Sequence, residues 1–158
     1  MKLGVLSDTH WQSPDQFDRR LFKVFHDVDA ILHAGDMVHG AVLSLLEGFR
    51  PTYAVTGNCD EWDLHGRVPE KRLIEIRGFR IGLIHGWRRD LHYLSELGRE
   101  FDGVHVVVFG HSHCAVEENR GGVLYFNPGS ATCPRDGGGP TVGIIEIAGM
   151  LETYHVPL

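Results

Sequence analysis

Cysteine is scarce in this chain, and the few cysteines form no disulfide or metal-binding pattern. Only Cys59, Cys114 and Cys133 are present among 158 residues, and no two of them make a C-x-x-C pair. An odd and scattered set argues against a disulfide framework and against a thiolate zinc site. We therefore expect a protein of a reducing compartment and predict a cytoplasmic location.

Long apolar runs and an excess of basic residues are also missing. No segment approaches the ~20 apolar residues that span a bilayer, and the run at residues 3–6 is too short for a secretory signal peptide. Lys and Arg total 15 against 21 Asp and Glu, a formal net charge of −6. Because nucleic-acid affinity depends mainly on basic side chains, we do not expect stable nucleic-acid binding. Because no apolar run is long enough to span a bilayer, we do not expect a membrane partner.

The hydrophobic pattern predicts an α/β chain with many short strands. Apolar runs at residues 3–6, 29–32 and 52–56 alternate with helical patterns at residues 13–25 and 41–46, an order that predicts a parallel sheet. A short helix near residues 91–98, a strand at residues 104–109 and hairpins at residues 72–84, 115–126 and 142–156 are predicted to follow. We expect one domain, residues 1–158, built as a mixed two-sheet β-sandwich flanked by helices.

Five times an apolar segment ends and a side chain that can bind a metal comes next. Ligands of parallel sheets bind beyond the carboxyl ends of the strands, so we expect these segment ends to converge. An i, i+2 spacing occurs in two of the motifs and would place both side chains on one side of an extended segment. The motifs are Asp8-Thr9-His10, Gly35-Asp36, Gly57-Asn58-Cys59-Asp60, His85-Gly86 and Gly110-His111-Ser112-His113.

Each motif by itself has an ordinary structural explanation. An aspartate after a strand usually caps a helix or closes a turn, and a single histidine usually lies at the surface or in a satisfied core position. His33 and His39, which flank Asp36, are candidates either for supporting a metal ligand or for plain structural roles. The repetition of the pattern after five predicted strands is what favours a metal centre.

The candidate ligands combine carboxylate, imidazole and amide groups. Such donors suit Mn²⁺, Fe or Zn²⁺ better than Ca²⁺, which prefers oxygen alone. Two five- or six-coordinate sites could share Asp36, with one carboxylate oxygen for each ion. We predict two divalent ions, with Mn²⁺ expected first and Fe, Ni²⁺ or Zn²⁺ as alternatives. The ligand set is Asp8, His10, Asp36, Asn58, His85, His111 and His113.

In this order and form, the five motifs resemble the sequence blocks of the calcineurin-like metallophosphoesterase superfamily, over nearly the whole chain. The short length, the form Gly57-Asn58-Cys59-Asp60 and the run Asn127-Pro128-Gly129-Ser130 resemble its small bacterial and archaeal phosphodiesterase branch. The resemblance implies a two-sheet metallophosphoesterase fold. It also implies one ion held by Asp8, His10, Asp36 and His113, and a second held by Asp36, Asn58, His85 and His111.

The resemblance further implies hydrolysis of small phosphate diesters through attack by a hydroxide that bridges the two ions. The alternatives are a phosphomonoesterase or nucleotide pyrophosphatase with the same metals, or a non-catalytic interaction scaffold like the retromer subunit of similar fold. A scaffold is expected to lose ligands, whereas all seven positions here carry competent residues, which favours an enzyme. Small members of the branch tend to self-associate, so a dimer or tetramer is expected.

Cys59 departs from the pattern of the larger phosphatases in the superfamily. The larger phosphatases have a histidine at this position. The resemblance implies that this histidine assists the leaving group and that the acid following it holds the ring in place. A thiol is a poor match for that imidazole, so we expect a preference for diesters, or for good leaving groups, over alkyl monoesters. Asn58, Cys59 and Asp60 are the catalytic candidates, and the alternative for Cys59 is a small buried filler.

Trp87 is a second departure from the family pattern. In many small members this motif is similar to His-Gly-His, whereas in this chain it is His85-Gly86-Trp87. We expect Trp87 either to stack on a base or aryl group of the substrate or to pack at the rim of the site. Arg135 is the main candidate for a phosphate contact, with Arg88 and Arg89 as further candidates.

Overall fold

The chain forms two five-stranded sheets that pack face to face, with short helices on the outside. A computed structural model describes residues 1–88 and 90–158, and of Leu91 the backbone alone. The helices are α1 (Arg20–Val24), α2 (Gly40–Phe49), α3 (Trp62–His65) and α4 (Leu94–Arg99), with 3-10 turns at Pro14–Gln16 and Leu91–Tyr93. The strands are β1 (Lys2–Leu6), β2 (Ala30–His33), β3 (Thr52–Ala54), β4 (Lys71–Ile76), β5 (Phe79–Ile84), β6 (Val106–Val108), β7 (Ala115–Arg120), β8 (Val123–Pro128), β9 (Thr141–Ile147) and β10 (Leu151–Pro157).

The first sheet has the order β10-β9-β1-β2-β3, and the second has the order β4-β5-β6-β8-β7. Strands β1, β2 and β3 are parallel, with Leu6 opposite His33, as the alternation of strands and helices predicted. Strands β5, β6 and β8 form a second parallel set, and hairpin partners flank both sets. The carboxyl ends of both parallel sets therefore carry the loops that hold the predicted motifs.

Both faces of the central strands are buried, which explains their continuous apolar runs. Leu3 and Val5 of β1 point into the cluster between the sheets, whereas Leu6 points into the cluster beneath α1 and α2. A third cluster lies under α4 and includes Phe109. The two-sheet sandwich flanked by helices is thus confirmed. Because both sheets share one core cluster, we propose that residues 1–158 form a single domain.

The helix predicted at residues 13–25 is wrong as one element. It is divided into the 3-10 turn Pro14–Gln16 and α1, because Phe17 adopts an extended ψ of 123°. That conformation places the Phe17 ring 5.2 Å from Trp11 and 4.8 Å from Phe22, so tertiary packing overrides the helical pattern. Helix α3 lies in a segment where the sequence pattern predicted no helix. Among the described residues, no helix has the length and apolar character needed to cross a membrane.

Two leucines of the β4–β5 hairpin differ sharply in burial, so replacing them with alanine should lower the stability of the protein by different amounts. Leu83 of β5 is fully buried, whereas Leu73 of the neighbouring β4 is 41% exposed. Leu83→Ala should lower the free energy of unfolding by about 2–5 kcal/mol, because it removes buried methyl groups and leaves a cavity. The matched control Leu73→Ala should cost less than about 1 kcal/mol. Urea unfolding of both variants with a chelator present is the measurement, and equal losses would contradict this account of the core.

Candidate metal centre

Hydrogen bonds between backbone groups and carboxylates bring the ends of the parallel strands together. The Asp8 N–H donates to the Gly35 carbonyl at 3.0 Å and joins the ends of β1 and β2. The Gly110 N–H donates to the His85 carbonyl at 2.9 Å and joins the ends of β5 and β6. The His111 N–H donates to the Asp8 carboxylate at 3.0 Å, which links the two sheets. The predicted motifs therefore meet at one place.

One half of the site is a compact cluster of four side chains. Asp8, His10, Asp36 and His113 each offer a ligand atom, and these atoms lie within 4.8 Å of one another. The His113 Nε2 lies 3.3 Å from Asp8 Oδ1, and the His10 Nε2 lies 3.6 Å from Asp36 Oδ2. Three of the four residues are buried, and His10 lies at the surface of the cluster.

The other half lies on the far side of Asp36. The Asn58 Oδ1 is 3.2 Å from His85 Nε2 and 2.9 Å from His111 Nδ1. The His85 Nε2 is 3.4 Å from Asp36 Oδ2, and the rings of His85 and His111 meet edge to face at 5.3 Å. All seven predicted ligands are thus brought together, in two groups that share Asp36.

The two oxygens of the Asp36 carboxylate have different surroundings. Oδ1 accepts the Cys59 N–H at 2.8 Å. Oδ2 faces both halves, between His10 Nε2 at 3.6 Å and His85 Nε2 at 3.4 Å, and the use of one oxygen for each ion stays a prediction. Burial alone would raise the pKa of Asp36, but the His85 imidazole and the Cys59 N–H outweigh it and hold that pKa well below its usual range. Asp36 is therefore an anion at neutral pH.

Two of the histidines have their orientation fixed from behind. The His85 Nδ1 donates to the Ala34 carbonyl at 2.7 Å, and the His113 Nδ1 donates to the Cys133 carbonyl at 2.8 Å. A carbonyl oxygen can only accept, so the proton of each neutral ring is at Nδ1. The Nε2 lone pairs therefore face the cluster, which is the arrangement that ligating histidines use.

The backbone of the site is strained, against the expectation of extended segments. Asp8, His10, Asp36, His111 and His113 all have φ between 46° and 69°, in the left-handed region that side chains other than glycine rarely adopt. Such conformations cost of order 1–3 kcal/mol each and are held by the surrounding structure. The i, i+2 argument was therefore wrong about the backbone, although it grouped Asp8 with His10 correctly.

The donor set fits divalent cations. Asp8 and Asp36 are buried carboxylates close to four imidazole rings, and a buried negative pair of this kind is stabilised by a bound cation. Burial lowers the pKa of His113, and the nearby charge of Arg135 acts in the same direction, which keeps the His113 ring neutral and able to ligate. Nitrogen and oxygen donors with no thiolate suit the ions predicted from the sequence.

Of the two histidines that flank Asp36 in the sequence, His33 and His39, His33 lies deeper. It is fully buried, its Nε2 lies 3.1 Å from the Thr9 hydroxyl, and burial lowers the pKa of His33 to about 3. It therefore packs as a neutral ring behind the motif of β1. His39 instead contacts the Glu61 carboxylate at 2.6 Å, away from the cluster.

Asp60, one of the three catalytic candidates, accepts hydrogen bonds from two loops. Its Oδ1 accepts the Val38 N–H and its Oδ2 accepts the Gly57 N–H, both at 2.7 Å, so both oxygens are occupied by backbone donors. Asp60 thus holds two loops together and is a positioning residue. Cys59 is exposed, with its Sγ 3.2 Å from Asn58 Nδ2. Burial and the charge of Asp36 raise the pKa of Cys59 to about 11, so the thiol stays protonated.

The predicted substrate contacts lie around the cluster. Trp87 is 46% exposed, and its indole meets the ring of Tyr93 at 5.7 Å. Arg135 is exposed, and its backbone N–H donates to the His113 carbonyl at 3.1 Å. Arg88 is paired with Asp90 at 3.0 Å, so its charge is engaged. Arg89 lies outside the described residues.

Sequence reasoning missed the hydroxyl and amide groups that support Asp8 and its neighbours. The Ser7 hydroxyl donates to Asp8 Oδ2, and the Ser130 hydroxyl donates to the Asp8 carbonyl, both at 2.7 Å. Asn127 Nδ2 donates to the Gly110 carbonyl at 3.0 Å. The run containing Asn127 and Ser130 was noticed only as a family resemblance, and nothing local in the sequence indicated the long-range partners.

This combination of a two-sheet α/β fold with an Asp/His cluster at the strand ends defines a metal-dependent hydrolase. The profile of the calcineurin-like phosphoesterase superfamily domain matches residues 1–150, and the chain belongs to that superfamily. It is therefore a phosphoric ester hydrolase by family. A probable metallophosphoesterase of Methanothermobacter thermautotrophicus is 40% identical over 156 residues, which cover 94% of this chain and 87% of the relative.

Solved structures show the same fold. An archaeal phosphodiesterase superposes with a TM-score of 0.78 at 28% identity, covering 100% of both chains. Vps29 of Entamoeba histolytica in complex with zinc superposes with a TM-score of 0.76 at 24% identity, covering 99% of this chain and 98% of the other. At 24% identity, the similarity to Vps29 supports a shared fold and nothing further.

Proposed function

We propose that this protein is a dinuclear metal-dependent phosphodiesterase that acts on small phosphate diesters. The observation that carries the proposal is the division of seven donor side chains into two groups on either side of Asp36 Oδ2. Asp8, His10, Asp36 and His113 would hold one ion. Asp36, Asn58, His85 and His111 would hold the other.

Two divalent ions, when bound, supply a nucleophile at neutral pH and stabilise charge on the phosphoryl oxygens. The chain supplies the rest of the chemistry. Asp8 and Asp36 contribute negative charge, and Asn58 contributes a neutral oxygen that limits the total charge of the site. His85 and His113 are held rigid by the Ala34 and Cys133 carbonyls, so the site is preorganised.

The preference for diesters is supported by what surrounds Asn58. Cys59 lies beside it as a protonated thiol, and Asp60 is engaged with backbone donors. Neither residue offers an imidazole to protonate a poor leaving group. Esters with good leaving groups need no such proton, whereas alkyl monoesters do. Arg135 is the proposed contact for the phosphate, because its backbone N–H donates to the carbonyl of the candidate ligand His113 at 3.1 Å and its side chain is exposed.

A scaffold of the same fold is the competing proposal. The complete donor set argues against it, and the likeness to Vps29 extends to the fold only. A monoesterase or nucleotide pyrophosphatase with the same metals differs from the proposed enzyme in loop contacts, which the substrate assays below separate. A cytoplasmic location and a dimer or tetramer stay predictions from the sequence.

The first test is hydrolysis of bis(p-nitrophenyl) phosphate beside p-nitrophenyl phosphate, after chelator treatment and again after addition of Mn²⁺. We expect diester turnover only with metal. Asp36→Asn should reduce it to background, because both ion sites lose their shared oxygen charge. The control His26→Ala removes an exposed imidazole whose Nδ1 contacts the Lys23 carbonyl, and it should leave turnover unchanged. Failure to bind Mn²⁺ by calorimetry, together with no turnover of either ester, would favour the scaffold.

Cys59→His should introduce the missing leaving-group acid. We expect turnover of an alkyl monoester such as glycerol 3-phosphate, measured by phosphate release, to rise by about 10- to 100-fold relative to diester turnover, since a positioned general acid contributes about 10²–10⁴-fold. Cys59→Ala is the matched control, because it removes the thiol without adding an imidazole, and it should leave the ratio unchanged. An unaltered monoester rate in the histidine variant, with intact metal binding, would refute our explanation of Cys59.

Arg135→Ala should raise KM for the diester by about 5- to 10-fold with kcat nearly unchanged, the loss expected for one charge-assisted hydrogen bond. Arg135→Lys should recover part of that loss, because the positive charge is retained. Arg120→Ala serves as the control, since Arg120 pairs with Glu118 on the β7 strand. Steady-state kinetics measure both constants, and an unchanged KM in Arg135→Ala would remove the phosphate-binding role.

A further inference from the structure

A cavity of about 370 Å³ opens directly beside the metal centre. Asn58 and His85 form its border with the cluster, and the side away from them is lined by His65, Lys71 and Trp87 among others. Its volume lies within the ~300–1,000 Å³ range of small-molecule pockets. An ester whose phosphate lies at the cluster can therefore place one of its two organic groups in this cavity.

The apolar part of the cavity lining is aromatic. Trp87 is 46% exposed although Tyr93, which is buried, supports it from behind at 5.7 Å. His65 is stacked on Trp62 with an interplanar angle of 29°, and Trp62 is itself 89% exposed. Exposed aromatic rings of this kind offer flat surfaces on which a base can stack. The lining thus favours a planar, unsaturated group over an aliphatic chain.

The polar part of the lining mixes hydrogen-bond donors and acceptors. Lys71 Nζ lies 2.8 Å from Glu100 Oε2 and 3.3 Å from the Glu100 carbonyl, and Glu70 adds a second carboxylate. Two carboxylates against one ammonium repel a further phosphate, which argues against long nucleotide chains. A nucleobase carries neutral donors and acceptors along its edges and matches this mixture.

We propose that this cavity is a base pocket, which takes the nucleoside part of a mononucleotide ester while the phosphate lies at the metal centre. Trp87 and His65 provide the stacking surfaces, and Lys71 with Glu100 provides the hydrogen-bonding edge. The inference rests on the proposed phosphodiesterase function for the position of the phosphate. It assigns the specificity of that site to residues outside the candidate ligand set.

The test compares two diesters with the same leaving group. Thymidine 5′-(p-nitrophenyl phosphate) and methyl p-nitrophenyl phosphate both release p-nitrophenolate, so they differ only in the group offered to the cavity. We expect kcat/KM for the thymidine ester to be about tenfold higher in the wild-type enzyme, the size of one stacking interaction. Trp87→Ala and His65→Ala should each bring the ratio toward one, because kcat/KM for the thymidine ester should fall more than kcat/KM for the methyl ester.

Tyr154→Ala is the matched control. Tyr154 is an aromatic residue of similar exposure, 40%, on β10, and its hydroxyl donates to Glu146. It should leave the ratio unchanged. A wild-type ratio near one, or equal loss for both esters in Trp87→Ala, would overturn the base pocket. A stronger preference for p-nitrophenylphosphorylcholine would overturn it in favour of an ammonium pocket.

A binding measurement separates this inference from the proposed activity. Calorimetry with Mn²⁺ present compares AMP with ribose 5-phosphate, which share the sugar and the phosphate that would lie at the metal centre. We expect AMP to bind about tenfold more tightly, and Trp87→Ala to remove the difference. If neither diester is hydrolysed but AMP is preferred, the proposed activity fails and the pocket stands. If diesters are hydrolysed and AMP has no advantage, the pocket fails and the activity stands.

Discussion

The carboxylate of Asp36 is the group on which the rest of the site depends. One oxygen accepts the Cys59 N–H, which leaves the other between the two groups of candidate ligands. This arrangement requires neighbouring backbone segments of the chain to approach closely. A Cβ on Gly35, whose φ is +90°, would lie 2.8 Å from His85 Nδ1, and a Cβ on Gly57 would lie 2.9 Å from the Asp36 Cγ. Glycine at both positions therefore permits the shared oxygen.

The packed sheets stabilise the strained backbone of the candidate ligand residues. Left-handed backbone at the ligand residues is unfavourable in isolation, and the two buried sheets supply the rigid ends on which it is built. Side chains far away in sequence complete the support, with Ser130 bonded to the Asp8 carbonyl and Asn127 to the Gly110 carbonyl. Asp60 belongs to the same layer of support, because it joins the Val38 and Gly57 loops.

The functional proposals divide the molecule into a chemical centre and a neighbouring cavity. The centre is built from residues at the strand ends, whereas the cavity is lined by the loop after β3, the end of α3, the start of β4, the loop after β5 and Glu100 at the end of α4. Asn58 lies on the border between them, and the neighbouring Cys59 offers a weakly acidic thiol where an imidazole would act as a general acid. One fold can therefore retain its metal cluster while changes in these loops alter which esters it accepts.

The sequence by itself determined most of the strands and the candidate ligand set. Continuous apolar runs predict buried strands, and a metal-competent residue after each run marks the candidate site, because both signals are local and follow from burial and donor chemistry. Tertiary structure alone decided that Asp36 Oδ2 lies between the two groups of candidate ligands and that Asp60 joins two loops. It also decided that Phe17 interrupts a helix and that Trp87 and His65 line one cavity. These features depend on distances between residues far apart in the chain, and on packing that overrides local preference.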